Sequence, residues 1–559
     1  MSDILTPLSL WKNFDISLDC KPETVSVKIE DGVKIEYVYF YGRQTKYGRV
    51  KIYAAFACSE VNPSDSTILL FSDSCCTIDE ELLKFFVKSG YSVLMPDYCG
   101  KAENTEKYTI YPDDVSYANY FEAGRRKDYV DDDAFRTSWY EWVAVARYAY
   151  KYLEEREDVG RIGTAGIRDG GDIVWKLITM VDAACAVTVC AVGWKAYAGF
   201  SKFSTSEPAL DSERYRYIAG IDSQAYAPFV RCPVLMLCST NDPHFDYDRA
   251  YDTFSRINEQ YSDLSVIAYS VHCSGGISVG STRDMFMFFD KFVKQRHVFL
   301  PKPADISVLA DNEQNLVAQV SIDRNGEVED MGFYMAEDCI DSSLREWTAV
   351  RYKGKTPEGA YRYFLDVYEK TSLIFVLCYV TYSNGFTVWS RIVVKKVKGT
   401  FKNMRNKCRI LYSSKDGGES FSVADSSSSA VGGVFLTGND ALPKLVEKAE
   451  GLKGLYSVCG LMTLRPNSLR YAAPEGCSLI KLDIFCDNDA KVVFSMEDME
   501  KSDIYSIKID VVGGVWQGVL LDRKNFKNRQ GATLSSFNLN LKFEINCDGQ
   551  YAVNNIMWL

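Results

Sequence analysis

Four runs in the first 240 residues are apolar without a polar break of period two: STILLF (66–71), YSVLMP (91–96), ACAVTVCAV (184–192) and PVLMLC (233–238). A strand that alternates apolar with polar residues lies half in solvent. A run with no alternation is covered on both faces, which is the condition of a strand inside a parallel sheet between helices. Segments of helical period separate these runs. Leu82, Leu83, Phe86 and Val87 share one face and Gly90 closes the segment, with Thr77 and Glu80 spaced as a capping box. Trp139, Trp142, Val143, Ala146 and Leu153 recur on one face of a longer helix. Asp172 to Val181, about 247–260 and RDMFMFFDKFVKQ (283–295) supply three more, and RIGTAG (161–166) and SVIAYS (265–270) two further strands. Repeated β-α-β units predict a mostly parallel sheet with helices on both faces.

Past Pro301 the period changes to two. VAQVSID, GAYRYFLDVYE, SLIFVLCYVTY and FTVWSRIVVKKV predict an antiparallel sandwich of about 100 residues. SSKDGGESFSVADSSSSAVGG (413–433) reads as a loop or linker whose flanks are able to pair. From about 454, SLIKLDIFC, AKVVFSME, YSIKIDV, WQGVLLD, LNLKFEIN and NNIMWL predict a second all-β domain. A chain of 559 residues exceeds one hydrophobic core. The expected fold class is therefore multidomain, with an α/β domain over 1–300 and two all-β sandwiches over 301–398 and 399–559.

Composition excludes several functions. With 47% hydrophobic and 25% charged residues the chain is ordinary globular material. Seventy-five acids against 64 bases give a net charge of −11, and no basic stripe reverses it, so no nucleic-acid partner is expected. No run reaches the ~18 apolar residues of a membrane span. MSDILTPLSLWKNFDIS lacks a basic segment followed by an apolar one, so a cytoplasmic location is expected. The 17 cysteines form no C-x-x-C pair and there are three histidines, so no metal site is read; the thiols are expected to be reduced and buried. Nothing demands a cofactor.

The segment SWYEWVAVARYAYKYLEE followed by RIGTAGIRDGGDIVWKL resembles the α/β-hydrolase family, in particular its acetyl-xylan-esterase, dienelactone-hydrolase and acyl-peptidase-like branch. The resemblance spans roughly residues 25 to 298 and implies a strand ending in a G-x-S-x-G elbow. A sharp strand-to-helix turn there lifts a serine above the sheet, and the helix N-terminus favours developing negative charge. Here the elbow reads G-I-R-D-G-G, and Arg168 stands where the family carries serine. By the same resemblance Asp242, in STNDPHFDYD, takes the place of the triad acid, with Asp246 as alternative acid or helix cap. His272, in V-H-C-S-G-G, takes the place of the base. The chain order elbow, acid, histidine is that of the fold. A guanidinium is not a nucleophile and forms no acyl-enzyme.

The expectation is a silent elbow, with binding or scaffolding of a saccharide or acyl ester in place of turnover. The alternative is an active esterase or peptidase with another nucleophile: Asp169, Cys75, Cys76 or Cys273. Arg168 either fills the vacated pocket, pairing with Asp242 or with Asp131, Asp132 or Asp133, or binds an anion. Without catalysis nothing requires positive φ at Arg168, so a relaxed turn is expected. FSDSCCT (71–77), after the first central strand, lacks the glycines usual on the oxyanion side.

Residues 195–230 form an expected cap whose Tyr197, Phe200, Phe203, Tyr215, Tyr217 and Tyr226 either line a pocket or pack. The last domain resembles carbohydrate-binding-module-like jelly rolls, with Tyr505, Trp516 and Trp558 as core or sugar-stacking residues. The middle domain resembles an immunoglobulin or fibronectin-III spacer.

Overall fold

The computed structural model describes residues 5–559 except 76–77, 103–104, 198–199, 205–207, 358, 419–420, 425–429, 437–441 and 538–539. It divides into two compact units. The first comprises residues 1–238, 244–268 and 280–300; the second comprises 239–243, 269–279 and 301–559.

The first unit is built on a nine-stranded sheet in the order β1-β2-β3-β5-β4-β6-β7-β8-β9. Its strands are β1 (Glu23–Glu30), β2 (Val33–Gln44), β3 (Arg49–Ser59), β4 (Thr67–Phe71), β5 (Ser92–Pro96), β6 (Ile162–Ile167), β7 (Ala186–Val189), β8 (Val234–Ser239) and β9 (Val266–Ser270). The helices are α1 (Pro7–Trp11), α2 (Glu80–Lys88), α3 (Ser138–Glu154), α4 (Asp169–Leu177), α5 (Ser212–Gly220), α6 (Tyr247–Phe254), α7 (Glu259–Ser262) and α8 (Val279–Phe292). Strands β4 to β9 are buried along their whole length, as unbroken apolar runs require.

The sheet is mixed rather than mostly parallel. β4 pairs in parallel with β5 and β6, β6 with β7, and β7 with β8, but β1, β2, β3 and β5 are joined antiparallel. Asp31 and Gly32, both at positive φ, make the two-residue turn between β1 and β2. That Asp-Gly pair is a strong hairpin signal, and it lies upstream of the β-α-β series. Three other boundaries moved. Thr77 lies outside the described residues; Asp79 caps α2, accepting from Leu82 N at 2.9 Å. The strand expected over 184–192 stops at Val189, because Cys190, Val192 and Trp194 take positive φ (48°, 68° and 57°). The helix after the elbow starts at Asp169, three residues before the apolar period begins.

In the second unit all strand pairs within the larger sheets are antiparallel. Asp305–Ala310, Leu316–Ser321, Tyr361–Phe364 and Tyr352–Lys355 form one sheet. Val328–Glu337 and Leu373–Tyr382 centre a second. Downstream, Leu479–Cys486 and Tyr551–Trp558 lie in a six-stranded sheet, and Ala490–Asp498 and Leu541–Cys547 in a five-stranded one. Leu482, Phe494, Phe543, Val553 and Trp558 share one buried core. Pairing begins at Ile410–Tyr412, earlier than the expected 454, and within 413–433 Ser422–Val423 pairs with Leu461–Met462. Trp558 and Tyr505 pack in the core, and Trp516 is half-buried, donating to Ala449 O.

Candidate functional site

The turn between β6 and α4 is held by backbone against backbone. A Cβ on Gly170 would lie 2.3 Å from Phe71 O and 2.4 Å from Ser72 O, and one on Gly166 would lie 2.2 Å from Gly170 O. The glycines therefore let α4 start directly against the end of β4. We expect Gly170→Ala to lower stability by about 1–3 kcal/mol, measured by urea unfolding, since the clash is with main chain that cannot swing aside.

This packing decides the conformation of the residue between the glycines. Arg168 sits at φ 50°, ψ −115°, so the relaxed turn expected from the loss of serine is not found. Arg168 N donates to Val189 O at 2.8 Å, and its carbonyl accepts from Gly171 N and Asp172 N. Strand pairing on one side and helix start on the other fix the turn whatever side chain it carries. The strain, on the order of 1–3 kcal/mol, is carried by the surrounding fold.

Around the elbow lies a network that the sequence did not suggest. Asp73 Oδ1 accepts from two main-chain donors, Ser74 N at 2.9 Å and Asp169 N at 3.3 Å. Asp73 Oδ2 lies 3.8 Å from Arg168 Nε. Burial and the neighbouring Asp169 push the Asp73 carboxyl up in pKa, and Arg168 opposes them. Asp169 turns its carboxylate away from the turn. It is ion-paired to Lys127 at 2.9 Å and to Lys195, and it accepts from Ser74 Oγ. Burial alone would raise the Asp169 pKa; the Lys195 and Lys127 ammoniums overcome this and hold it well below the usual carboxylate range. Lys195 also lies 3.4 Å from Asp172, whose Oδ1 accepts from Ser223 Oγ at 2.6 Å. Lys176 donates to Ser223 Oγ at 3.1 Å, and burial lowers its pKa to about 8. Trp139 of α3 lies under both Lys176 and Lys195, 4.6 Å and 4.1 Å from its ring centre. The strained segment Cys190–Trp194 delivers Lys195 to this network.

The acids proposed as partners for Arg168 from the 131–133 run are used elsewhere. Asp131 pairs with Arg125 at 2.9 Å, and Asp133 caps the turn at Phe135. Asp132 is exposed. In the cap, Tyr217 and Tyr226 are buried, whereas Phe200 and Tyr215 are exposed.

Asp242 and His272 fall in the second unit. Asp242 is buried. Asp246 caps α6, accepting from Asp248 N at 2.9 Å. His272, at φ 60°, donates its main-chain N–H to Thr240 Oγ1 at 3.2 Å, and its ring meets Tyr334 edge to face at 6.1 Å. Its Nε2 is buried without a hydrogen-bond partner among the described residues. Burial and then the Arg465 guanidinium lower the His272 pKa to about 3. Arg465 is itself buried, 3.3 Å from Glu346 and 3.0 Å from Asp416, and burial pushes the Glu346 carboxyl up to about 7. A ring that resists protonation so strongly is a weak general base.

The sign of the pH dependence follows. Unfolded, His272 takes a proton near its ordinary 6.5; folded, it resists until about 3. Its contribution to stability is intact above 6.5 and is lost as pH falls from there toward 3. We expect the wild type to lose about 2 kcal/mol more than His272→Gln between pH 7 and 5 in urea unfolding.

Cys273 is buried and its thiol is pushed up to about 12 by burial, so it is no thiolate nucleophile at neutral pH. Cys75 is exposed, and Cys76 lies outside the described residues. Among the described residues no group of acids, histidines and cysteines has the arrangement of a metal site. Among the described residues no helix is long and apolar enough to cross a membrane.

A strand, a turn at positive φ and a helix, set at the C-terminal edge of parallel strands, make the elbow of one fold. The first unit is α/β-hydrolase-like. No family model matches the chain, and no curated protein does. Among solved structures it is similar to the acetyl xylan esterase from Paenibacillus sp. R4, at 13% identity and TM-score 0.38, over 51% of this chain and 92% of that one. Acetyl xylan esterase 1 from Thermoanaerobacterium sp. JW/SL YS485 gives 15% and 0.35, over 49% and 88%. An esterase of Pyrococcus furiosus gives 14% and 0.31, over 46% and 92%.

In α/β-hydrolase-like elbows the oxyanion is bound by the N–H after the nucleophile and by an N–H from the loop after a central strand. In this chain Ser74 N, from the loop after β4, and Asp169 N both donate to Asp73 Oδ1. Asp73 lies in FSDSCCT, where the acid and not the missing glycines is the informative feature. Lys127, Lys195 and Ser223 carry no local motif and meet the elbow only through folding.

Proposed function

We propose that this α/β-hydrolase-like protein binds or scaffolds and does not turn over acyl groups at its elbow, its ligand class being a saccharide or an acyl ester. The observation that carries this reading is Asp73. Its carboxylate accepts the main-chain N–H groups of Ser74 and Asp169, which in this reading are the donors that an acyl-transfer site keeps for its oxyanion. An internal anion at that spot competes with every tetrahedral intermediate. Three further features support the reading. Arg168 offers no nucleophile. Asp169 is neutralised by two ammoniums, which lowers its nucleophilicity. His272 is kept neutral and weakly basic. In this reading Arg168 is a structural partner of Asp73, and Asp242 and His272 are vestigial positions. Residues 301–398 and 399–559 are read as two β-sandwich domains that add binding surface.

One observation favours a second reading, an active hydrolase: Ser74 Oγ lies beside the elbow, 3.3 Å from Lys127 Nζ. Against it, the Lys127 pKa is raised by Asp169 despite burial, so the ammonium is a poor proton acceptor. A fluorophosphonate probe separates the readings. No labelling of the full chain is expected; labelling that disappears in Ser74→Ala would establish the second.

A further inference from the structure

At the end of α4 away from the elbow, the first unit bears a separate, open pocket of about 240 Å3, lined in part by the exposed Leu8 and Phe229. Its walls are apolar, from Leu8 and Trp11 of α1 and from Phe229. Its polar lining is cationic: Lys12, Arg147 and Arg231, with no acid among the lining residues.

Arg147, on α3, is the unusual member. It is half-buried, and its Nε is enclosed with no hydrogen-bond partner. No carboxylate of the described residues pairs with it, and burial lowers its pKa against the opposing effect of the Tyr140 and Tyr148 hydroxyls alone. Its guanidinium rests on aromatic faces, 4.4 Å from the centre of Phe14 and 5.8 Å from that of Trp11. The carbonyls at the end of α4 are already engaged. Val174 O accepts from Ile178 N at 3.0 Å, Leu177 O from Met180 N at 2.9 Å, and Ile178 O from Arg231 N at 3.2 Å. Lys176 O accepts from Thr179 Oγ1 at 2.7 Å. Arg231 itself has a distant carboxylate, 3.9 Å away on the exposed Asp182.

Buried cations in folded proteins are paired, and an enclosed donor left without an acceptor marks a place where a partner belongs. We propose that the pocket binds a small organic carboxylate, the head group facing Arg147 with Lys12 and Arg231 at the rim, and the apolar body against Leu8, Trp11 and Phe229. The planar guanidinium suits a bidentate carboxylate, and the aromatic shelf beneath it keeps the fork in place without neutralising it. This site does not depend on how the elbow is read.

The test is ligand-observed fluorine NMR on the full chain, with 4-fluorobenzoate and the neutral 4-fluorobenzyl alcohol as probes. The acid is expected to bind at least about tenfold more tightly than the alcohol, the equivalent of one charge-assisted hydrogen bond. Arg147→Gln should weaken the acid by about tenfold or more and leave the alcohol unchanged. Lys12→Gln, on an exposed residue that folding does not need, should weaken it about twofold and flatten its salt dependence. Arg147→Met should abolish selectivity for the acid while raising Tm, because an unpaired buried charge is replaced by a side chain that packs on Phe14 and Trp11. Equal binding of acid and alcohol, unchanged affinity in Arg147→Gln, absence of acid binding at millimolar concentration, or displacement of the acid by an equal concentration of inorganic phosphate would each overturn the proposal.

Discussion

Restoring serine at the elbow leaves this protein inert: Arg168→Ser is expected to hydrolyse p-nitrophenyl acetate within about tenfold of the uncatalysed rate. The backbone at residue 168 already has the elbow conformation, so geometry is not what the variant lacks. It lacks free donors, because Asp73 accepts from Asp169 N and Ser74 N. Loss of a single oxyanion donor costs about 10²–10³ in rate, and here both are engaged. Removing the internal anion as well, in Arg168→Ser with Asp73→Gly, should raise the rate by about 10² over the single variant. Steady-state kinetics with active-site titration checks both numbers. A single Arg168→Ser variant that forms a stoichiometric acyl-enzyme would refute the assignment of Asp73 as the blocking group.

Asp169→Ala should be the most destabilising change at the elbow, by about 3–5 kcal/mol, although the residue lies on the first turn of a helix. Its carboxylate holds Lys127 and Lys195 and accepts from Ser74 Oγ. Removing it leaves two ammoniums facing each other next to Trp139, with Asp172 the remaining anion near Lys195. Breaking one partner of a buried pair is costly because the other charge stays behind. Asp169→Asn keeps a hydrogen-bond acceptor for Ser74 and Lys127 and should lose less, about 2 kcal/mol. The measurement is urea unfolding at pH 7 with m-values compared, to show that the native state itself is unchanged. A loss below 1 kcal/mol for Asp169→Ala would mean that the lysines find water and that the network is peripheral.

Individual residues show where reading the sequence succeeds. The buried strands β4 to β9 were visible because burial on both faces leaves no polar position, and that signal is local. The elbow was visible because two main chains touching need glycine at Gly166 and Gly170, a constraint independent of chemistry. The three antiparallel strands β1 to β3 were not legible although Asp31-Gly32 marks the first turn, since β1 is exposed along almost its whole length and carries no burial pattern. The expected relaxation at Arg168 failed for an instructive reason. It treated strain as a property of the function performed there, whereas Phe71, Val189 and Gly171 impose it through packing and main-chain hydrogen bonds.

What residue order alone determined is the alternation of covered strands and amphipathic helices, the switch to period two after Pro301, and the cation at the elbow, because each follows from periodicity or residue type within a few positions. Tertiary structure decided which charges meet. Asp73 and Asp169 lie 96 residues apart in sequence, Lys127 and Lys195 come from segments with no shared pattern, and His272 owes its weak basicity first to burial and then to Arg465, nearly 200 residues on. Electrostatic energy depends on distance through space and on burial, and neither is written in the spacing along the chain.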